Sequence, residues 1–327
     1  MLARAAENLY WMTRYLERAE NTARLINSTT HVLLDIPHVA LFDWTNLVEI
    51  VGLDDHFHQY CPDANEDAVM RFLIEDGRNP SSILSCVQLA RENTRTLREI
   101  LPAEMWEQIN SLFHYVRANA TLACNSRRNR YMILNNIIEQ RQAIIGLFSG
   151  AMGRDLAYQL IKLGRNVDRA DMTTRILDLH SAIEWPQDDP LQEMLQERLW
   201  MSTLNTLSGY QTYRRLVGMQ VKSHDVIDFL LKNIHFPRSV DFCLSEIESC
   251  LRLMPRSQYP LQIVAVLRHK LQQHYNGGLN PIALHEYLDQ LQAEIGAIND
   301  LLTEHYFHAY HGNEPVAALP AAMESAQ

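Results

Sequence analysis

The sequence predicts an all-α protein, an internally duplicated helical bundle with pseudo-twofold symmetry. Three observations predict it. Only 12 Gly and 12 Pro occur in 327 residues, against abundant Leu, Ala, Arg, Glu, Gln and Asn, which disfavours collagen-like, low-complexity and turn-rich β classes. Apolar residues recur at helical spacing through long segments. The chain also repeats itself at an offset of about 150 positions. At roughly 150 residues per domain, the length suits two domains or one large helical one.

The first helix is read from Leu9, Met12, Leu16, Ala19, Ala23 and Ile26, whose alternating steps of three and four wind an apolar stripe along one side. Pro37 interrupts it. Further helices are predicted around 41–55, 66–76, 81–100, 103–121 and 126–150, with Pro80-Ser81-Ser82 and Pro102-Ala103-Glu104 as starts. A long helical pattern runs from Arg154 to His180 and ends before Pro186. Others follow near 190–214, 222–233, 238–253, 260–274 and 282–309, separated by His235-Phe236-Pro237, Pro255 and Gly277-Gly278. No strand meander is present. The residues from Gly312 lose the apolar period and read as a solvated tail, 313–327.

The repeat organises this list. Arg14 to Ile26 aligns without gaps on Arg165 to Leu177, an offset of 151, with Arg14, Arg18, Ala19, Thr22 and Arg24 identical and Glu17 and Glu20 replaced by Asp168 and Asp171. A second stretch, Val69 to Ile74, aligns on Val226 to Leu231 at an offset of 157. The same offset lays Gly52 on Gly209, Pro80 on Pro237, Ser82 on Ser239, Cys86 on Cys243 and Arg95 on Arg252. The expected organisation is two copies of one helical unit, 1–150 and 151–312.

With 29 Lys+Arg against 39 Asp+Glu the formal charge is -10, which repels a nucleic-acid backbone, so no nucleic-acid partner is expected. The five cysteines form no CxxC pair and their odd count gives no disulfide framework, so they read as buried thiols of a reducing compartment. The charged N-terminal stretch lacks the apolar core of a secretory signal, and no segment approaches the run of about 20 apolar residues needed to span a bilayer. A soluble cytoplasmic protein with no membrane association is expected.

On a helix, Arg14, Glu17, Arg18 and Asn21 share one face, with Glu20 and Arg24 an i,i+4 pair beside them. Arg165, Asp168, Arg169, Asp171 and Arg175 reproduce this ridge, and Met172 replaces Asn21. Exposed ion pairs are worth only tenths of a kcal/mol each, too little to hold these charges in both halves while other surface positions differ. Two readings follow. One is a buried Arg–carboxylate network joining the two helices across a pseudo-twofold axis. The other is a ligand site in which Arg14, Arg18, Arg165 and Arg169 hold a carboxylate or phosphate, while Glu17, Glu20, Asp168 and Asp171 orient them or accept an amine or metal.

These residues carry a family resemblance. The opening MLARAAENLYWMTRYLERAENTARL resembles the start of the bacterial alpha-E family, an all-helical group named for a Glu-Arg motif, here Glu17-Arg18. Met152-Gly153-Arg154-Asp155, with Leu163 to Met172 after it, is similar to the family's second motif, as is Ala90-Arg91-Glu92-Asn93 ahead of Ala103 to Glu107. The resemblance covers about residues 1–310. Thr13 stands where the pattern usually has Gly, and Asp168 where it has Glu, which weakens any role that needs identical carboxylates in both copies.

The resemblance implies a neighbourhood: circularly permuted ATP-grasp proteins, transglutaminase-like peptidases and, in some genomes, Anbu, a proteasome-like peptidase. It thereby implies a helical partner of an ATP-grasp ligase in ATP-dependent peptide synthesis or protein tagging, with the peptidase or a peptide substrate as further partners. The chain itself has no GxxxxGK[ST] loop and no strand-linked GxGxxG, so no cofactor of its own is expected. Two other readings stand beside this one. In the first the chain is a stand-alone enzyme with the ridges lining a cleft and Glu17 or Glu20 as general base; in the second it is a purely structural adaptor. Association with further copies of itself is compatible with all three.

The remaining constellations are weaker. His305, His308 and His311 are spaced for a metal on a last helical turn, and Asp54-Asp55-His56-Phe57-His58 is a similar cluster, but both read more simply as helix ends, so no metal is expected. Arg127, Arg128 and Arg130 form the densest basic cluster and read as a solvated or ion-paired face. Cys86 and Cys243 sit on apolar helical faces and read as packing residues, as do Tyr10, Trp11 and Trp44.

Overall fold

The computed structural model describes residues 1–35, 44–61, 63–182, 192–274 and 281–308. Among these the regular secondary structure is helical, with no strand. The elements are α1 (Ala3–Asp35), α2 (Asn46–Ile50), α3 (Asp54–Tyr60), α4 (Glu66–Ile74), α5 (Ile83–Arg95), α6 (Ala103–Asn125), α7 (Arg127–Ala151), α8 (Leu156–Ala182), α9 (Gln192–Thr206), α10 (Tyr210–Leu216), α11 (Ser223–Lys232), α12 (Val240–Arg252), α13 (Gln258–His274) and α14 (Pro281–Thr303). A π-helical turn, Glu304–His308, follows α14. No described helix is long and apolar enough to cross a membrane.

The helix starts are set by short polar side chains that accept an otherwise orphaned backbone N–H. Asn65 caps α4 through Ala68 N at 2.9 Å, Ser126 caps α7 through Asn129 N at 3.4 Å, and Ser82 and Ser239 cap α5 and α12 through Ser85 N and Phe242 N. The helix expected over 41–55 is broken at Gly52, which has φ +70°, so α2 and α3 are separate; residues 41–43 lie outside the described residues. The helix expected over 190–214 is broken in the same way, by Ser208 at φ 57°, between α9 and α10. A left-handed residue ends a helix whatever the apolar period does on either side of it.

α1 and α8 pack along each other and form the middle of the bundle. α1 is flanked by α5 and α7, and α8 by α12 and α14, while α6 pairs with α7 and α13 with α12. All six apolar positions that predicted α1 are buried. The two central helices approach tightly at Gly164 of α8, where an added Cβ would lie 2.5 Å from the Tyr10 carbonyl oxygen of α1. Helices at the positions laid over one another by the 157-residue offset have matched ends, α4 with α11 and α5 with α12. The thiols of Cys86 and Cys243 each donate to the carbonyl six residues before them, Pro80 and Pro237, at 3.7 Å. The tail 313–327 and His311 lie outside the described residues.

Candidate functional site

The charges of the two ridges meet between α1 and α8. Glu17 is fully buried and receives three guanidiniums: Arg169 Nε at 2.7 Å and Arg238 Nη1 at 3.2 Å on Oε1, and Arg141 Nη2 at 2.9 Å on Oε2. Asp168 takes the reciprocal place on α8, accepting from Arg18 Nη2 at 2.9 Å and Arg14 Nε at 3.3 Å. Thus each helix presents one carboxylate to the arginine of the other: Glu17 to Arg169, Asp168 to Arg18. Glu20, also buried, accepts Arg238 Nη2 at 2.9 Å and Arg24 Nε at 2.8 Å, and Asn21 Oδ1 accepts Arg238 Nη1 at 2.7 Å.

The outer arginines reach further. Arg18 Nη1 donates to Ser81 Oγ at 3.3 Å, and Arg24 Nη1 to Ser208 Oγ at 2.7 Å in the break between α9 and α10. Arg175 of α8 lies against Gly52 in the corresponding break between α2 and α3; its ion pair is with Asp171, 2.9 Å away on its own helix. Arg14 also donates to Asn299 of α14 and lies 4.9 Å from the Trp11 ring, a cation–π contact that covers its flat face.

The residues singled out from the sequence therefore form one charged layer of two hydrogen-bonded clusters, Glu17, Glu20, Asn21, Arg24 and Arg169 joined through Arg238, and Arg14 and Arg18 joined through Asp168. Asp171 and Arg175 pair with each other at its edge. Arg165 is half-buried close by and makes no ion pair among the described residues. Sequence reasoning missed Arg141 on α7 and Arg238 just before α12. Arg238 carried a signal: it follows Pro237 and falls on Ser81 at the 157-residue offset, so a guanidinium in the second half stands where a hydroxyl stands in the first.

Burial alone would push the Glu17 carboxyl up, but Arg169, Arg238 and Arg141 outweigh that and hold it well below its ordinary value. It is an anion with its lone pairs engaged. A general base needs the opposite, a raised pKa and a proton of the substrate within reach. Burial pushes the Cys86 and Cys243 thiols up to about 12, so neither is a ready nucleophile.

The other clusters resolve into structure. Arg130 is buried at the end of α6, donating to the Ala123 and Cys124 carbonyls at 3.0 Å each and to Glu66 at 2.8 Å; Arg127 also pairs with Glu66. A cation on the last carbonyls of a helix satisfies orphan acceptors and the helix dipole together. His56 bonds the Arg78 carbonyl at 2.9 Å, His58 lies 3.3 Å from Asp54, and His305 bonds the Arg256 carbonyl at 2.8 Å. One convergence unforeseen from sequence joins Asp178, His285 and Asp289, with donor atoms within 4.8 Å of one another. His285 lies 2.8 Å from Asp178 and 3.7 Å from Asp289. The Asp178 hydrogen bond raises the imidazole's pKa, which favours an imidazolium between two carboxylates.

An all-helical chain with paired central helices locked by a Glu-Arg motif defines the class of the protein. The chain belongs to the Alpha-E family, whose model, described as a predicted alpha-helical domain with a conserved ER motif, matches residues 1–307. It is similar to the proteins named "Uncharacterized protein Mb2597" of Mycobacterium bovis and "Uncharacterized protein MT2643" of Mycobacterium tuberculosis, 21% identical over 349 residues in each case. The match takes in 96% of this chain and 38% of each relative, so the chain spans well under half the length of those proteins. No solved structure matches it.

Proposed function

We propose that this chain is the non-nucleotide-binding helical partner of a circularly permuted ATP-grasp ligase, acting in the cytoplasm in ATP-dependent amide-bond formation, either peptide synthesis or protein tagging. The observation that carries this reading is the state of Glu17: fully buried and bound by three guanidiniums. The family's Glu-Arg motif is then a clamp that fixes α1 on α8, and catalysis by Glu17 in a stand-alone enzyme loses its support. A rigid clamp suits a subunit that presents a surface to another protein. Two further facts support the reading. The family resemblance implies the ATP-grasp neighbourhood, and in the relatives the matched region is joined to a longer remainder of the same chain.

The same reading treats the clamp as the junction of two copies of one helical unit, 1–150 and 151–312. The reciprocal pairs Glu17–Arg169 and Asp168–Arg18, and the matched ends of α5 and α12, support it.

Co-expression with the neighbouring ATP-grasp protein tests the function. The expected result is that the two co-purify and that ATP turnover with candidate amino acids requires this chain. A stable complex with turnover unchanged would turn the reading into that of a structural adaptor, and no complex with no effect on turnover would end it.

A further inference from the structure

The last two helices leave a cavity between them. α13 packs mainly along α12 and α14 mainly along α8, and the two meet each other more lightly. Leu267, Lys270 and Leu271 lie on one face of α13 at helical spacing, and Tyr287, Gln290, Leu291 and Glu294 on one face of α14. Between these faces lies a space of about 160 Å³. Neither face belongs to the Glu17 clamp.

Its walls and its rim differ in chemistry. The walls are the buried side chains of Leu267, Leu271 and Leu291 with the half-buried ring of Tyr287. Water finds few hydrogen-bond partners against such a lining, and an apolar group displaces it readily. The rim is charged: Lys270 Nζ donates to Glu294 Oε1 at 2.8 Å, and Gln290 Nε2 donates to the same oxygen at 3.4 Å. The side chains of Lys270 and Glu294 are 48% and 27% exposed, so solvent screens the pair and a ligand's charges can replace either partner at little cost. A ligand with a single charge attracts one rim group and repels the other. A ligand with both charges satisfies the two together.

We propose that this cavity binds a free apolar α-amino acid. The ligand's side chain enters between the three leucines and the Tyr287 ring, its ammonium pairs with Glu294, and its carboxylate pairs with Lys270 and accepts from the Gln290 amide. An α-amino acid carries both charges on one carbon beside its apolar group, which matches a charged rim set next to apolar walls. Volume sets the size of that group. An apolar cavity of about 150 Å³ holds benzene, so a benzyl or isobutyl group fills this one, while a lone hydrogen or methyl leaves most of the lining without contacts. This inference is independent of the ligase partnership, since it concerns the isolated chain.

The test is ligand-observed NMR on the dialysed full-length chain at fixed ionic strength. The probes are L-leucine and L-phenylalanine, with glycine and two single-charge analogues, N-acetyl-L-leucine and L-leucinamide, as comparisons. Leucine or phenylalanine should bind saturably with a dissociation constant of about 1 mM or tighter. Glycine should bind at least about tenfold more weakly for want of an apolar group, and each analogue about five- to tenfold more weakly for want of one charge. Lys270→Gln and Glu294→Gln alter only a half-exposed pair, so both should unfold like the wild type, yet each should weaken amino-acid binding about five- to tenfold. Absence of saturable binding by either amino acid, analogues that bind as well as leucine, or wild-type affinity in both variants would overturn the proposal.

Discussion

Glu17→Gln removes one negative charge and changes almost no volume, so its effect isolates the electrostatics of the clamp. In the native chain the carboxylate joins three guanidiniums from α7, α8 and the start of α12. The neutral amide can accept from them on one oxygen only, and its NH2 group faces donors. Breaking a buried pair by removing one partner costs about 3–5 kcal/mol. With an unfolding entropy of about 2.1 cal/mol/K per residue, a chain of this length should lose roughly 4–7 °C in Tm. Urea unfolding followed by circular dichroism at 222 nm reads the free energy directly. Acid provides the sign check. The folded pKa is depressed below the ordinary 4.5, so the stabilisation is present above that pH and is lost as pH falls toward the folded value. The gap between wild type and Glu17→Gln should therefore be full at neutral pH and narrow below about pH 4.5. A loss under 1 kcal/mol, the scale of an exposed ion pair, would refute the reasoning.

Further expectations follow from the same geometry. Gly164→Ala sets a methyl against the Tyr10 carbonyl and should cost about 1–3 kcal/mol, while Gly146→Ala, with nothing within 4 Å, should stabilise by about 0.5–1 kcal/mol; paired urea curves compare them. Arg130→Met strips Glu66 and two α6 carbonyls of a donor and should cost about 3 kcal/mol, against under 1 for Arg128→Met. Alkylation of the native protein at neutral pH should modify Cys61 alone, the other four cysteines being buried; mass spectrometry of the peptides counts the labels. The His285 imidazole should titrate above its ordinary 6.5 by NMR and fall back toward it in Asp178→Asn. Because that folded value is raised, its stabilising contribution is present below pH 6.5 and fades as pH rises through the folded pKa.

The helices themselves were largely legible from apolar spacing, because a stripe at steps of three and four admits one compact solution. The breaks in the second element and in 190–214 were not, since Gly52 and Ser208 act through backbone φ, and only the glycine advertises this in sequence. The ridge was legible as a set of linked charges on one face of α1 and one of α8. Its burial rested on a weaker clue, the recurrence of both ridges. Arg141 was invisible: it lies 124 residues from Glu17 within an ordinary amphipathic pattern, and only the packing of α7 along α1 brings its guanidinium to the carboxylate. The Arg127–Arg130 cluster was legible as a solvated or ion-paired face, and Arg127 and Arg130 do pair with Glu66, but the burial of one member was not. Density of charge along a chain says nothing of which members turn inward, and Arg130 turns in to cap α6 while Arg128 stays exposed.

The central claim is that Glu17 acts by holding α1 on α8 through Arg169. A double-mutant cycle of Glu17→Gln and Arg169→Met, read by urea unfolding, measures that link across 152 residues of sequence. A coupling free energy of about 1.5–3 kcal/mol is the predicted result. A coupling within about 0.5 kcal/mol of zero, with both single variants folded, would contradict the account.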